Sequence, residues 1–152
     1  MTTSRPKGSI PEPDREPRSQ CAALPWRLSP VGEVEILLIT SRETRRWVIP
    51  KGWPIKGLNL RRTAMQEAFE EAGLIGQVVK KPIGTFHYDK RLRSGRVQHV
   101  RVTVFAMRVT QECADWPELG QREKLWMSPT TAGEMVDEPE LKTLISAFRG
   151  VS

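Results

Sequence analysis

Long hydrophobic runs are missing from this chain. No apolar stretch approaches the roughly 20 residues that cross a bilayer as a helix. The N-terminus has no apolar core for a signal peptide, so a cytoplasmic protein is expected. Cysteine is scarce: Cys21 and Cys113 are the only two. Two widely spaced thiols make neither a disulfide framework nor a thiolate zinc site, and both are expected to be reduced. Histidine is equally rare, with only His87 and His99, each on a strand-like segment where a lone histidine is usually structural. Apolar residues are nearly absent from residues 1–18, which hold Pro6, Pro11, Pro13 and Pro17 among polar neighbours. With so little to bury, that stretch is expected to be a disordered tail. Residues 19–152 then form one domain.

The 152 residues carry a net charge of +6 and a pI near 9.7, otherwise with an ordinary globular composition. A basic surface attracts anions: nucleic acid, acidic lipid or a phosphorylated small molecule. Charge alone does not choose among these.

The strand signals are clear. "CAALPWRL" reads as a short strand. "VEILLITS", residues 34–41, is an apolar run rich in β-branched residues and reads as a buried strand. "RWVIP", 46–50, is a further short strand, with the turn "RETR" before it pointing charge outward. After the breaker-rich loop "KGWPIKG", Asn59 is placed to cap a helix running to Ala72, with Gly73 at its C′ position. Further strands are expected in "LIGQVVKKPIGTFHYDKRL", and "RSGR" reads as a hairpin turn. In 97–109, Val100, Val102, Val104 and Ala106 fall on one strand face. "EKLWM" gives a last strand around Trp126. Ser128-Pro129 opens a short helix, and Asp137 is positioned to cap a final one with Leu141, Leu144, Ile145 and Phe148 in helical spacing. This order predicts a mixed α/β or α+β domain, its sheet covered by helices.

The helix over 59–72 divides by angle. With Ala64 at zero, Met65, Ala68, Phe69 and Ala72 lie between roughly 40° and 140°, and are expected to pack on the sheet. Glu67, Glu70 and Glu71 lie between roughly 240° and 340° as one acidic patch. Like-charged neighbours at i+3 and i+4 cost roughly 0.2–0.5 kcal/mol each. Carboxylates in a last turn also meet the negative end of the helix dipole, at roughly 0.3–1 kcal/mol apiece. The total is about 1–3 kcal/mol against folding. No lysine or arginine stands at i+3 or i+4 to relieve it. A solvated acidic face is the ordinary reading of such a patch. A bound divalent cation explains this placement better, because Mg²⁺ and Mn²⁺ prefer carboxylate and carbonyl oxygens and leave room for a phosphate.

At these residues the chain resembles the Nudix family. The Nudix box runs Gly, five residues, Glu, seven residues, Arg-Glu, an aliphatic residue, any residue, Glu-Glu, any residue, Gly, aliphatic. Counted from Gly52, Glu67 falls at the Arg-Glu glutamate, Ala68 at the aliphatic position, Glu70-Glu71 at the pair, and Gly73-Leu74 at the end. Two positions depart: Leu58 replaces the first glutamate and Gln66 the arginine, which in the family helps orient the neighbouring glutamates. "LLITSRETRRWVIPKGWP", "HVRVTVFAMRV", "DWPELGQREKLW" and "SPTTAGEMV" are similar to the diphosphoinositol polyphosphate phosphohydrolase-like branch. The resemblance implies an α/β/α sandwich with a mixed central sheet. It also implies a diphosphohydrolase using Mg²⁺ or Mn²⁺, with Glu67, Glu70, Glu71 and the Lys51 carbonyl as ligands. Glu67, Glu70 and Glu71 become the catalytic candidates, Glu67 as ligand or general base, and Glu118 and Glu123 are candidates for a further carboxylate.

The expected partner is a phosphorylated small molecule, with Ser41, Arg42, Arg46, Lys51 and Arg122 as its binding candidates, since arginine and lysine suit phosphate. A dinucleoside polyphosphate, a diphosphoinositol polyphosphate or a nucleoside diphosphate derivative would fit, taken by a monomer or homodimer. A membrane partner is not expected. Leu58 and Gln66 keep open a nucleotide-binding module with impaired chemistry. The charge keeps open nucleic-acid binding, for which the sequence offers no recognition motif or basic helix.

Overall fold

The computed structural model describes residues 18–151. The expected disordered tail lies outside the described residues, except for Arg18, which already opens the first strand. In chain order the elements are β1 (Arg18–Leu28), β2 (Val34–Thr40), β3 (Trp47–Val48), β4 (Lys51–Gly52) and α1 (Leu60–Ala72). Then come β5 (Leu74–Val78), β6 (Gly84–Arg91), β7 (Val97–Glu112), β8 (Lys124–Met127), α2 (Pro129–Met135) and α3 (Pro139–Ala147).

The eight strands form one sheet in the order β3-β2-β1-β7-β5, with β4 on β1, β6 on β7 and β8 on β2. β1 and β7 run parallel through the centre, Arg18 beside Val100 and Trp26 beside Arg108. The other pairs are antiparallel. Side chains alternate across a strand, so β1 serves both faces. Ala22, Leu24 and Trp26 join Val100, Val102, Val104 and Ala106 under α2 and α3, where Leu141, Ile145 and Phe148 close the layer. Cys21 and Ala23 join Leu37, Ile39, Phe105 and Met107 under α1, which contributes Ala64, Ala68 and Ala72. The result is the expected sandwich of helices on both faces of a mixed sheet.

Three local expectations are corrected. The strand at 46–50 shrinks to Trp47–Val48, and the following loop starts with a two-residue strand because Lys51 and Gly52 pair with Ala22 and Cys21. Met65 and Phe69 do not enter the core; they are half-buried, lining a groove of about 450 Å³ with Leu58, Leu74, Ile75 and Met107. Thr63 and Glu71 take the buried positions instead, because the sheet-facing stripe of α1 is centred nearer Ala64. Finally, Glu138 stands at the N-cap of α3 without a side-chain capping bond, while Asp137 is drawn to Arg46 at 3.0 Å.

Candidate metal and diphosphate site

The site is assembled around the C-terminal half of α1. The helix starts where Asn59 Oδ1 accepts from the Arg62 N–H at 2.8 Å. It ends at Gly73, whose φ of 69° is the left-handed conformation that glycine adopts without a Cβ penalty. Between these ends, only alanines face the sheet in the last two turns. Ala64, Ala68 and Ala72 meet Cys21 and Ala23, small against small, which brings the helix close to β1 and β4. Glu71 projects from the edge of this stripe and is 7% exposed. Glu67 and Glu70 sit further round and are half-buried.

The close approach needs Gly52. A Cβ there would lie 2.4 Å from the Glu67 carboxyl carbon, so the carboxylate fills the space a side chain would take. The Lys51 N–H donates to Glu71 Oε1 at 3.4 Å. Glu67 and Glu71 lie close enough that a proton on one can bond the other. Burial, then this bond, pushes Glu71 up to about 8. Burial is also the main reason Glu67 is raised. Glu70 takes a different partner: Gln66 Nε2 donates to its Oε2 at 2.7 Å. The glutamine at the arginine position of the box thus keeps a hydrogen bond and drops the charge.

A distant loop finishes the helix end. The N–H of Cys113 donates to the Gly73 carbonyl at 2.8 Å, and the N–H of Glu118 to the Glu70 carbonyl at 3.0 Å. Lys124 Nζ donates to the Ala72 carbonyl at 2.8 Å and lies 4.4 Å over the Trp116 ring, which packs on Gly73. α1 has no basic residue in its last turn. The donors and cation that its exposed carbonyls need are delivered from 113–124 instead.

The basic candidates separate. Ser41 organises its own turn: its Oγ accepts from the Arg46 N–H at 3.0 Å and meets Thr44 Oγ1 at 2.6 Å. Arg42 is exposed and bonds Gln121 Oε1 at 3.2 Å. Arg46 bridges Asp137 and Glu138. The Lys51 ammonium lies 4.9 Å over the Tyr88 ring; burial lowers its pKa, while Glu71 and Glu138 pull the other way. Arg122, with its side chain 10% exposed, touches Glu118, Thr40 and Glu71. The hairpin cations Lys90, Arg91, Arg93 and Arg96 are, by contrast, at or near the surface. Of the further carboxylates, Glu118 is held by Arg122 at 3.0 Å, whereas Glu123 is exposed and pairs with Arg45. Sequence reasoning missed Glu138, whose Oε1 is buried with no hydrogen-bond partner among the described residues. Its only sequence signal was the acidic run before Pro139, which reads equally well as a solvated helix start.

Among the described residues, no three His, Cys, Asp or Glu side chains are preassembled as a cation cage. The donor chemistry nonetheless fits a hard divalent ion. Three carboxylates and the backbone at Lys51–Gly52 supply only oxygen. Burial raises both Glu67 and Glu71, a cost of charging them that a bound cation would offset.

No family model matches the chain. Curated relatives do. It is 32% identical over 110 residues to Nudix hydrolase 12, mitochondrial, of Arabidopsis thaliana, covering 69% of this chain and 53% of that protein. It is 32% identical over 119 residues to Nudix hydrolase 17, mitochondrial, of the same plant, covering 75% and 63%. The chain therefore spans only 53% and 63% of these relatives' own lengths. Solved structures share the fold. A C. elegans Ap4A hydrolase binary complex aligns with a TM-score of 0.63 at 18% identity, over 85% of this chain and 93% of that one. The NUDIX domain of Shewanella oneidensis NrtR, complexed with ADP ribose, gives 0.62 at 11% identity, over 87% and 88%. Identities this low speak for the fold; the curated relatives add the sequence. With the glutamates spaced from Gly52 as the box requires and packed against it, the chain belongs to the Nudix family.

Proposed function

We propose that this chain is a divalent-metal-dependent hydrolase of a diphosphate bond in a strongly anionic small molecule. The observation that carries this is the burial of Glu71 beside Glu67 and the Lys51–Gly52 backbone, with no basic residue in the last turn of α1 to compensate them. Buried carboxylates in that state are destabilising in themselves, and their placement is accounted for by a cation. Glu67, Glu70, Glu71 and the Lys51 carbonyl are the groups to hold Mg²⁺ or Mn²⁺. When bound, such an ion neutralises charge on the diphosphate and makes a water more nucleophilic.

The chain's own residues divide the remaining work. Gln66 holds Glu70 turned along the helix. Glu67 is placed to bind the ion or take a proton, against a glycine that leaves it room. Arg42, Arg46 and the Lys51 ammonium offer positive charge to the substrate phosphates. Arg46 is held by Asp137 and Glu138, and the buried Lys51 ammonium lies in the field of Glu71 and Glu138, until an anion competes for them. A net charge of +6 draws polyanions toward the surface as a whole. Dinucleoside polyphosphates, diphosphoinositol polyphosphates and nucleoside diphosphate derivatives are the substrate classes that fit. The fold neighbours named for Ap4A hydrolysis and for bound ADP ribose, and the likeness to the diphosphoinositol branch, support that set.

The test is phosphate release from a panel of these compounds with Mg²⁺ or Mn²⁺, with and without chelator. Wild type should turn over at least one class only with metal, and Glu71→Gln should lose nearly all of it. Turnover indifferent to chelator would contradict the reading.

A further inference from the structure

Arg122 is buried to an unusual degree for an arginine, its side chain only 10% exposed. Its fork reaches three elements. Nη1 donates to the Thr40 carbonyl at the end of β2 at 3.1 Å, and Nε to Glu118 Oε1 in the 113–123 loop at 3.0 Å. Nη2 stands 3.9 Å from Glu71 Oε1 on α1. Among the described residues, no other lysine or arginine forms an ion pair with Glu67, Glu70 or Glu71. The loop that carries Arg122 is fixed on both sides. Thr40 exchanges hydrogen bonds with Glu123 at 3.1 and 2.9 Å, and the Glu118 N–H holds the Glu70 carbonyl. With the loop fixed in this way, the guanidinium cannot swing out to solvent without giving up its bonds to the Thr40 carbonyl and Glu118.

The helix offers no substitute. Position 66, one turn before Glu70, is a neutral amide, and its hydrogen bond goes to Glu70, not Glu71. We propose that Arg122 is a positioning residue: from a loop far downstream, it supplies the positive charge that the last turn of α1 lacks and, braced on Glu118, sets Glu71 in the orientation that binds the divalent ion. This rests on the metal-dependent reading above. It differs from a substrate contact, because all three donor nitrogens are directed at the protein. It also differs from a loop anchor, because one of those partners is a carboxylate of the ligand set. Partners that orient metal ligands typically contribute about 10–100-fold in metal affinity or activity.

The experiment titrates Mn²⁺ into the full chain without substrate, following free Mn²⁺ by electron paramagnetic resonance, beside thermal unfolding. Wild type should bind Mn²⁺, and Arg122→Gln should weaken that binding about tenfold or more. Adding Gln66→Arg to Arg122→Gln returns a guanidinium to the helix within reach of Glu70, and should recover most of the lost affinity. A purely structural role for Arg122 would not respond to that second change. Arg122→Lys keeps the charge but cannot reach three acceptors at once, and should weaken binding several-fold. Wild-type Mn²⁺ affinity in Arg122→Lys overturns the proposal even if Arg122→Gln does not fold. So does wild-type or tighter binding in Arg122→Gln, or a double variant no better than the single one. Absence of Mn²⁺ binding by wild type would instead overturn the functional reading on which the proposal stands.

Discussion

The two faces of the sheet are packed by different rules. Under α2 and α3 the layer is made of large side chains: Leu24, Trp26, Ile36, Phe86, Leu141, Ile145 and Phe148. Trp26 and Phe148 meet edge to face at 5.7 Å. Under α1 the helix side is alanine throughout, and two polar residues, Thr63 and Glu71, are buried with it. Large residues hold a helix at a distance and remove much apolar area from water. Alanines remove little area, but they let a helix backbone approach the strand closely enough for carboxylates to meet Gly52. One face is built for stability and the other for proximity. The stabilising face can therefore carry the cost of the acidic one.

That contrast can be broken from either side. Ile145→Ala should have the largest effect on stability, about 2–5 kcal/mol in denaturant unfolding, while leaving Mn²⁺ affinity of the folded protein within twofold. An equal loss of both would show that the faces are not separable. Gly52→Ala should do the reverse. Its Cβ displaces a flexible carboxylate, not backbone, so the melting temperature should move little. Metal-dependent turnover should fall about tenfold or more, since small misplacements of reacting groups are costly. Unchanged turnover would remove Gly52 from the site.

A pH series sharpens the comparison further. In the metal-free protein the folded Glu71 keeps its proton up to about 8, against 4.5 for the ordinary group. Its contribution to stability is complete below the unfolded value and declines as pH rises toward 8. Chelated wild type should therefore melt at progressively lower temperature between these values, and Glu71→Gln should show a shallower decline. Identical slopes would mean that Glu71 is not the buried acid. The smallest expected effect is at the other end of α1. Asn59→Ala removes the bond to the Arg62 N–H and should cost about 1 kcal/mol, read by chemical denaturation, without altering turnover.

The sequence reveals the fold where periodicity is strong. The alternation of Val100, Val102, Val104 and Ala106 and the spacing of Leu141, Ile145 and Phe148 are local signals, and all of these residues are buried. Asn59 and Gly73 announce the ends of α1 by their own chemistry. The helix angle places Glu71 nearest the buried stripe, so even its burial is implicit in the spacing. Longer-range arrangements are different. That Trp116 packs on Gly73, that Lys124 caps Ala72, and that Arg122 joins three elements depends on where a loop docks. Nothing in the residues flanking those positions encodes it. Met65 and Phe69 misled because their size suggests core, while the alanines beside them set how close the helix comes.

The most direct test of the carboxylate end of α1 as a metal site is the melting temperature at pH 8 with and without Mn²⁺, for wild type and Glu71→Gln. Mn²⁺ should stabilise wild type in a concentration-dependent way, as a ligand bound only by the folded state must, and should leave Glu71→Gln nearly unchanged. Equal stabilisation of both proteins, or of neither, would contradict a divalent ion held by Glu71.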